Sequence, residues 1–160
     1  MKISAPLRRP RRARETVEAP FRLDQHLFYY FTQILARRQR ALNLELRRFG
    51  LDYSRWRAMA VLNEYPGASM HQLAELTSVD RTTLTHTLRL MEDEALIVRR
   101  ERASDRRSIS ISLTSQGRKK LKQILPTVLA QTERALEGFA ATEVDRLRDQ
   151  LARMVDNLKS

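Results

Sequence analysis

Arg81, Thr82, Thr85, His86 and Arg89 lie to one side of a stretch whose other side carries Leu84, Leu88, Met91 and Ala95. The apolar four stand at i, i+4, i+7 and i+11, the spacing of a single stripe along a helix. Guanidinium, hydroxyl and imidazole groups left on the exposed face are donors suited to phosphate oxygens and base edges. A second concentration lies in Arg99, Arg100, Arg102, Arg106 and Arg107, with Asp105 among them. Catalytic chemistry is poorly served by comparison. His26, His71 and His86 stand in no metal-ligand spacing, no glycine-rich phosphate loop is present, and no nucleophile has a matching base nearby in sequence. Cysteine is absent, which excludes disulfides, thiolate nucleophiles, cysteine-ligated zinc and thiol redox sensing. The expectation is a binding protein, not an enzyme, with no cofactor and no metal.

Charge points the same way. Lys and Arg number 30 against 19 Asp and Glu, a formal net charge of +11 over 160 residues. That balance suits a partner made of phosphates, although ribosomal proteins, membrane-surface proteins and plain solvated surfaces share it. Residues 1–20 hold Pro6, Pro10, Pro20 and the run Arg8-Arg9-Pro10-Arg11-Arg12 with almost nothing apolar, and read as a flexible basic arm. No apolar signal-peptide core comes after those arginines, and no stretch approaches the ~18 apolar residues of a membrane span. The expected setting is the cytoplasm, with no membrane partner.

Residues 21–160 form one expected domain. Leu23, Leu27, Phe31, Ile34, Leu35, Leu42, Leu46 and Phe49 recur at helical spacing until Gly50 stops them. Ser54 is a suitable cap for a second helix carrying Trp56, Met59, Ala60 and Leu62, which Pro66-Gly67 ends. Two short helical patterns between Met70 and Ile97 meet at Thr77-Ser78-Val79, the layout of a helix-turn-helix. Any helical bundle yields such pairs, so the elements after them must discriminate. Leu96-Ile97-Val98 reads as a strand, Arg99 to Arg107 as a projecting basic loop, and Ser108 to Leu113 alternates as a half-buried strand. Thr114 or Ser115 caps a long helix that Pro126 is expected to bend, and Thr142 to Asp145 approximates a capping box before a last helix. The first helix and the last two are more apolar than one short chain can hide, which predicts a homodimer through a helical layer from residues 21–49 and 115–158, with an ordinary monomeric bundle as the alternative.

The wing segment carries a resemblance. Asp105-Arg106-Arg107, five residues, then Leu113-Thr114-Ser115-Gln116-Gly117 resembles the D-x-R-x5-L-T-x-x-G signature of the MarR (multiple antibiotic resistance regulator) family. Leu73-Ala74-Glu75-Leu76, Val79 to Thr85 and Leu90-Met91-Glu92 are similar to that family's paired helices, and the likeness spans residues 23–158. It implies an α+β, mainly α, winged helix-turn-helix fold, with the winged lobe at 52–114. By the same resemblance the helix from Asp80 is the recognition helix, with Arg81, Thr82, Thr85, His86 and Arg89 near double-stranded DNA. The wing would pair Asp105 with Arg107 and offer Arg102 and Arg106 to a minor groove. One departure stands out: Ala95 occupies the family's usual glycine position before the first strand, where a left-handed backbone would cost alanine ~1 kcal/mol.

The resemblance further implies a repressor released from a pseudo-palindromic operator by a small-molecule effector. Phe28, Phe31, Leu35, Trp56 and Met59 would line the slot, with Arg38 or a neighbouring arginine at its mouth, a setting suited to an aromatic carboxylate or an acyl-CoA type ligand. An aromatic stripe at helical spacing equally describes an ordinary core. The alternative function is an architectural DNA-binding protein that senses nothing, which the arginine-rich arm favours. A stand-alone enzyme or an RNA-binding protein is the further rival.

Overall fold

The computed structural model describes residues 21–102 and 105–159, with the side chains of 102–108 set aside. The basic arm at 1–20 and the side chains of Arg102, Asp105, Arg106 and Arg107 therefore lie outside the described residues. After a 3-10 turn at Leu23–Gln25 come α1 (Leu27–Arg47), α2 (Tyr53–Glu64), α3 (Met70–Thr77) and α4 (Arg81–Asp93). A hairpin of β1 (Ile97–Arg102) and β2 (Asp105–Leu113) leads into α5 (Ser115–Ala135) and α6 (Ala141–Asn157). Helix pair, strand hairpin and flanking long helices make a mainly α winged helix-turn-helix. Among the described residues no helix is long and apolar enough to cross a membrane.

One core joins the lobe to α1 and α5. Leu42 and Leu46 of α1, Ala58, Met59 and Leu62 of α2, Leu73 of α3 and Ile124 of α5 are buried with Leu84, Leu88 and Met91 of α4. Helix α4 shows what holds such a segment. Its four threonines, Thr82, Thr83, Thr85 and Thr87, are indifferent helix formers, whereas each fully buried Leu or Met contributes about 1.5–3 kcal/mol. Burial, not propensity, makes this helix. Its stripe differs from the expected one at its end: α4 stops at Asp93, Ala95 is exposed, and Thr87 is the further buried member.

Several boundaries also move. Asp52, not Ser54, caps α2, its carboxylate accepting from the Arg55 amide at 2.8 Å. The last helix is capped from Ala140, whose amide donates to the Glu143 carboxylate at 2.8 Å; alanine offers no side-chain acceptor, so only half of a capping box exists. Helix α5, capped by Thr114, runs through Pro126 without interruption.

The largest correction concerns the wing. Its ladder does not end at Val98 but continues through Arg99↔Ile111, Arg100↔Ser110 and Glu101↔Ile109, with an irregularity before Arg102↔Asp105. The basic residues expected in a loop thus extend the strands. Ladder bonds use only the backbone, and a two-stranded ribbon that leaves the body is wetted on both faces, so its side chains need not alternate. At its root β2 is tied back to the lobe, the Gly67 amide donating to Ile111 O at 2.9 Å and the Ile111 amide to Ala68 O at 3.0 Å.

Candidate nucleic-acid interface

The turn between α3 and α4 sets the approach of the two helices. Ser78 takes the left-handed conformation at φ 50°, ψ 32°, so the chain reverses within three residues without a glycine. Thr77, fully buried, donates its hydroxyl to Leu73 O at 2.6 Å and accepts from the Val79 amide at 3.3 Å, which holds both sides of the turn. Asp80 then caps α4 by accepting from the Thr83 amide at 2.9 Å. Hydrogen bonds from Thr83, side chain first and backbone second, hold the Asp80 carboxyl below the ordinary aspartate value.

With Leu84, Leu88 and Met91 turned inward, Arg81, Thr82, Thr85, His86 and Arg89 are all exposed on α4. They form one polar face. Thr85 already spends its proton on Arg81 O at 2.7 Å, which leaves its methyl group and an acceptor lone pair facing out. Arg89 stands 3.8 Å from Asp93, an exposed pair loose enough to open for a better anion.

The far end of α4 is anchored in a way that sequence reasoning missed. Glu92, Asp93 and Glu94 crowd the negative pole of the helix, where acids are unfavourable. Arginines answer them from other elements. Arg55 of α2 donates to Glu94 at 2.9 Å and also to Gly50 O at 2.9 Å, while Arg99 of β1 reaches Glu92 at 3.0 Å. Three consecutive acids against the helix dipole were the signal that could have revealed these anchors.

Residues expected to line an effector slot are dispersed. Phe28 and Phe31 meet edge to face on α1, with centroids 5.6 Å apart, and Phe28 is half exposed. Leu35 is exposed on the same helix, and Met59 is wholly buried in the core. Arg38 borders a cleft between α1 and α5 with Ile34, Arg37 and Arg134. Trp56 instead faces a different cleft of about 640 Å3 between α2 and α5, bordered by Ala60, Asn63, Arg118, Lys122 and Leu125. Periodicity put these residues on helix faces but could not say which face meets which neighbour.

Comparison with known proteins agrees with this geometry. The model of the MarR family matches residues 49–108, which hold the paired helices and most of the wing. The homoprotocatechuate degradative operon repressor of Escherichia coli is 30% identical over 111 residues, 69% of this chain and 74% of that protein. The HTH-type transcriptional repressor IacR of Pseudomonas putida is 21% identical over 157 residues, 98% of this chain and 94% of its own length. A crystal structure of a MarR family transcriptional regulator from Silicibacter pomeroyi superposes with a TM-score of 0.79 at 25% identity, over 86% of this chain and 92% of that one. An exposed polar helix face beside a β-ribbon is how such proteins meet DNA, and the chain belongs to the MarR family of winged helix-turn-helix transcriptional regulators.

Proposed function

We propose that this chain is a homodimeric repressor that holds a pseudo-palindromic duplex operator and lets it go when a small aromatic or anionic effector binds. The observation that carries the reading is the α4 face. Five exposed polar residues oppose a fully buried stripe, so the helix can enter a major groove without disturbing its own packing. Arg81 and Arg89 are the base readers in this reading, and the wing arginines follow phosphates or a minor groove.

A second copy of the chain is the natural cover for the outer helices. Leu27, Ile34 and Leu35 on α1 and Leu147, Leu151 and Val155 on α6 all remain exposed in a single chain. That is more apolar surface than a monomer of this size normally shows to water. A two-fold dimer sets two recognition helices about one DNA turn apart, hence the palindromic operator. The cleft beside Trp56 is the effector site in this reading, and the name of the Escherichia coli relative, a repressor of homoprotocatechuate degradation, supports an aromatic acid as the class.

Selection of duplexes from a random pool, with sedimentation of the resulting complex, tests the reading. A two-fold sequence bound by two chains is expected, and Leu147→Glu with Leu151→Glu should leave a monomer or an unfolded chain, because a buried unpaired carboxylate is costly. Equal affinity for selected and random duplexes at physiological salt would favour the architectural alternative.

Asp105 supplies a test of sign within the same reading. As a brace for Arg107 it preorganises the wing, so Asp105→Ala weakens operator binding although the net positive charge rises. As a solvated acid it merely repels phosphate, and its removal tightens binding. Tighter binding by the variant at two salt concentrations refutes the brace.

A further inference from the structure

The register of the wing sorts its side chains onto two faces. Ile97, Ile111 and Leu113 are buried in the core and Arg99 reaches Glu92, so these residues make the inner face. Residues paired across an antiparallel ladder share a face, and the pairs Val98↔Ser112 and Arg100↔Ser110 therefore make the outer one. Arg118, in the first turn of α5, stands against that outer face. The space between them is a crevice of about 240 Å3, bordered by Val98, Arg100, Ser110, Ser112, Leu113 and Arg118.

Two cations and no acid line this crevice. Neither Arg100 nor Arg118 forms an ion pair with a described residue. Like charges gathered without a counter-ion repel one another, and a bound anion relieves the repulsion. Arg118 uses two of its five N–H groups, one on Leu113 O at 2.8 Å and one on the Ser115 hydroxyl at 3.4 Å. Three stay free. The Arg100 guanidinium and the Ser112 hydroxyl have no hydrogen-bond partner among the described residues, whereas Ser110 already donates to Arg100 O at 3.1 Å. Three donor groups thus approach one space from β1, β2 and α5.

The walls are set before any ligand arrives. Bonds from the Gly67 amide to Ile111 O, from the Ile111 amide to Ala68 O and from the Thr114 amide to Leu96 O fix the root of the ribbon. The Leu113 bond fixes Arg118 rather than the ribbon, so its fork loses little side-chain freedom on taking a second acceptor. A planar guanidinium matches two oxygens of a phosphate in a forked pair. Donors converging from three elements suit a tetrahedral anion better than a flat carboxylate with two oxygens. A water takes roughly 30 Å3 of liquid, so a group of four oxygens has room here.

We propose that this crevice holds one phosphate group between Arg100 and Arg118, with the Ser112 hydroxyl as third donor. The chemistry is common to a phosphodiester of duplex DNA and to free inorganic phosphate. The ribbon favours the first source, because in the duplex-binding reading above, on which that source rests, the same ribbon follows the backbone. Arg118 then gives α5 a contact of its own with the duplex, on the side of the ribbon turned away from the core.

NMR of arginine Nε–H groups in the full chain, titrated with inorganic phosphate against chloride at equal ionic strength, tests the site. The Arg100 and Arg118 signals should move together and saturate with phosphate only. Arg100→Gln should abolish the Arg118 response, and Ser112→Ala should weaken it. The selected duplex, titrated in the same way, tests the source. It should move the same two signals, and Arg100→Gln should weaken selected and random duplexes alike by about tenfold and flatten the salt slope by about one unit per chain. Arg47→Gln, which removes the same charge from an exposed position on α1, should leave that slope unchanged. Arg100 carries these tests because its side chain bonds to no described residue, so its loss leaves the fold intact.

Arginine signals that saturate with neither phosphate nor duplex overturn the proposal. A response to phosphate with unchanged duplex slopes in Arg100→Gln overturns the backbone as source and assigns the crevice to free phosphate. Failure of the wild type to select any duplex sinks the repressor reading instead, and the phosphate titration still tests the crevice separately.

Discussion

The Arg55 guanidinium donates to the Glu94 carboxylate across 2.9 Å, and through that pair α2 grips the C-terminal end of α4. Arg55 keeps only 13% of its side chain exposed, whereas Glu94 keeps 45%, so the two partners are unequal in what their loss leaves behind. Arg55→Met strips donors from both Gly50 O and Glu94 and should cost about 1–2 kcal/mol. Glu94→Gln leaves a neutral acceptor in place and should cost about 0–1 kcal/mol. Urea unfolding of the two variants checks the order, and a larger loss for Glu94→Gln would mean that the pair is not what holds this end of α4.

Gly117 closes the signature at the start of α5, and the packing explains why no side chain fits. A Cβ there would collide with the Leu96 carbonyl oxygen and lie 3.2 Å from Leu113 Cδ2. The carbonyl belongs to backbone already bonded to the Thr114 amide at 3.0 Å, so it cannot step aside cheaply. Gly117→Ala should destabilise the fold by about 3 kcal/mol, the upper range for overpacking. A thermal midpoint within a degree or two of the wild type would show that α5 can shift away from β1.

Ala95 occupies the left-handed region at φ 55°, and the expectation that this conformation burdens an alanine applies to it as folded. Leu96, next in the chain, donates its amide to Met91 O at 2.8 Å, which locks the reversal between α4 and β1. Glycine at position 95 relieves about 1–2 kcal/mol of left-handed strain and adds about 0.5–1 kcal/mol of unfolded-state entropy. Ala95→Gly should therefore stabilise the protein by about 0.5–1 kcal/mol. The same balance applies to Ser78 at φ 50°, which is also exposed. Chemical denaturation decides the matter, and destabilisation by both glycine variants would contradict it.

Asp80 predicts a pH dependence at the other end of α4. Its folded value is depressed, chiefly by the Thr83 side chain and then by the Thr83 amide. A depressed carboxyl contributes fully above its unfolded value and loses that contribution as pH falls through the folded value. Its cap should thus persist at neutral and mildly acid pH and fail only below the usual aspartate range. An NMR titration should show the Asp80 carboxyl and the Thr83 amide moving together, below the ordinary aspartate range. Asp80→Asn, which keeps a capping oxygen, should abolish the Thr83 response while leaving α4 formed.

What the sequence alone determined is what repeats locally. The buried side of α4, the inward turn of Ile111 and Leu113 in the expected alternation, the stop at Gly50 with its φ of 68° and the Thr114 cap were all legible, because burial on one face imposes a period and a cap needs only its own neighbours, although Ile109 of the same alternation stays exposed. The polar face of α4 was legible for the same reason, as the complement of the stripe. Tertiary structure alone decided what touches what across the chain. Arg55 and Glu94 are 39 positions apart, and although the run Glu92-Asp93-Glu94 at a helix end calls for cations, nothing local says which arginines answer. Trp56 could have faced α1 as readily as α5 on periodicity, and Met59 could have lined a slot instead of filling the core. Those choices depend on how α2 crosses its neighbours, which is set by side-chain volumes summed over several helices at once, and a local pattern contains no such sum.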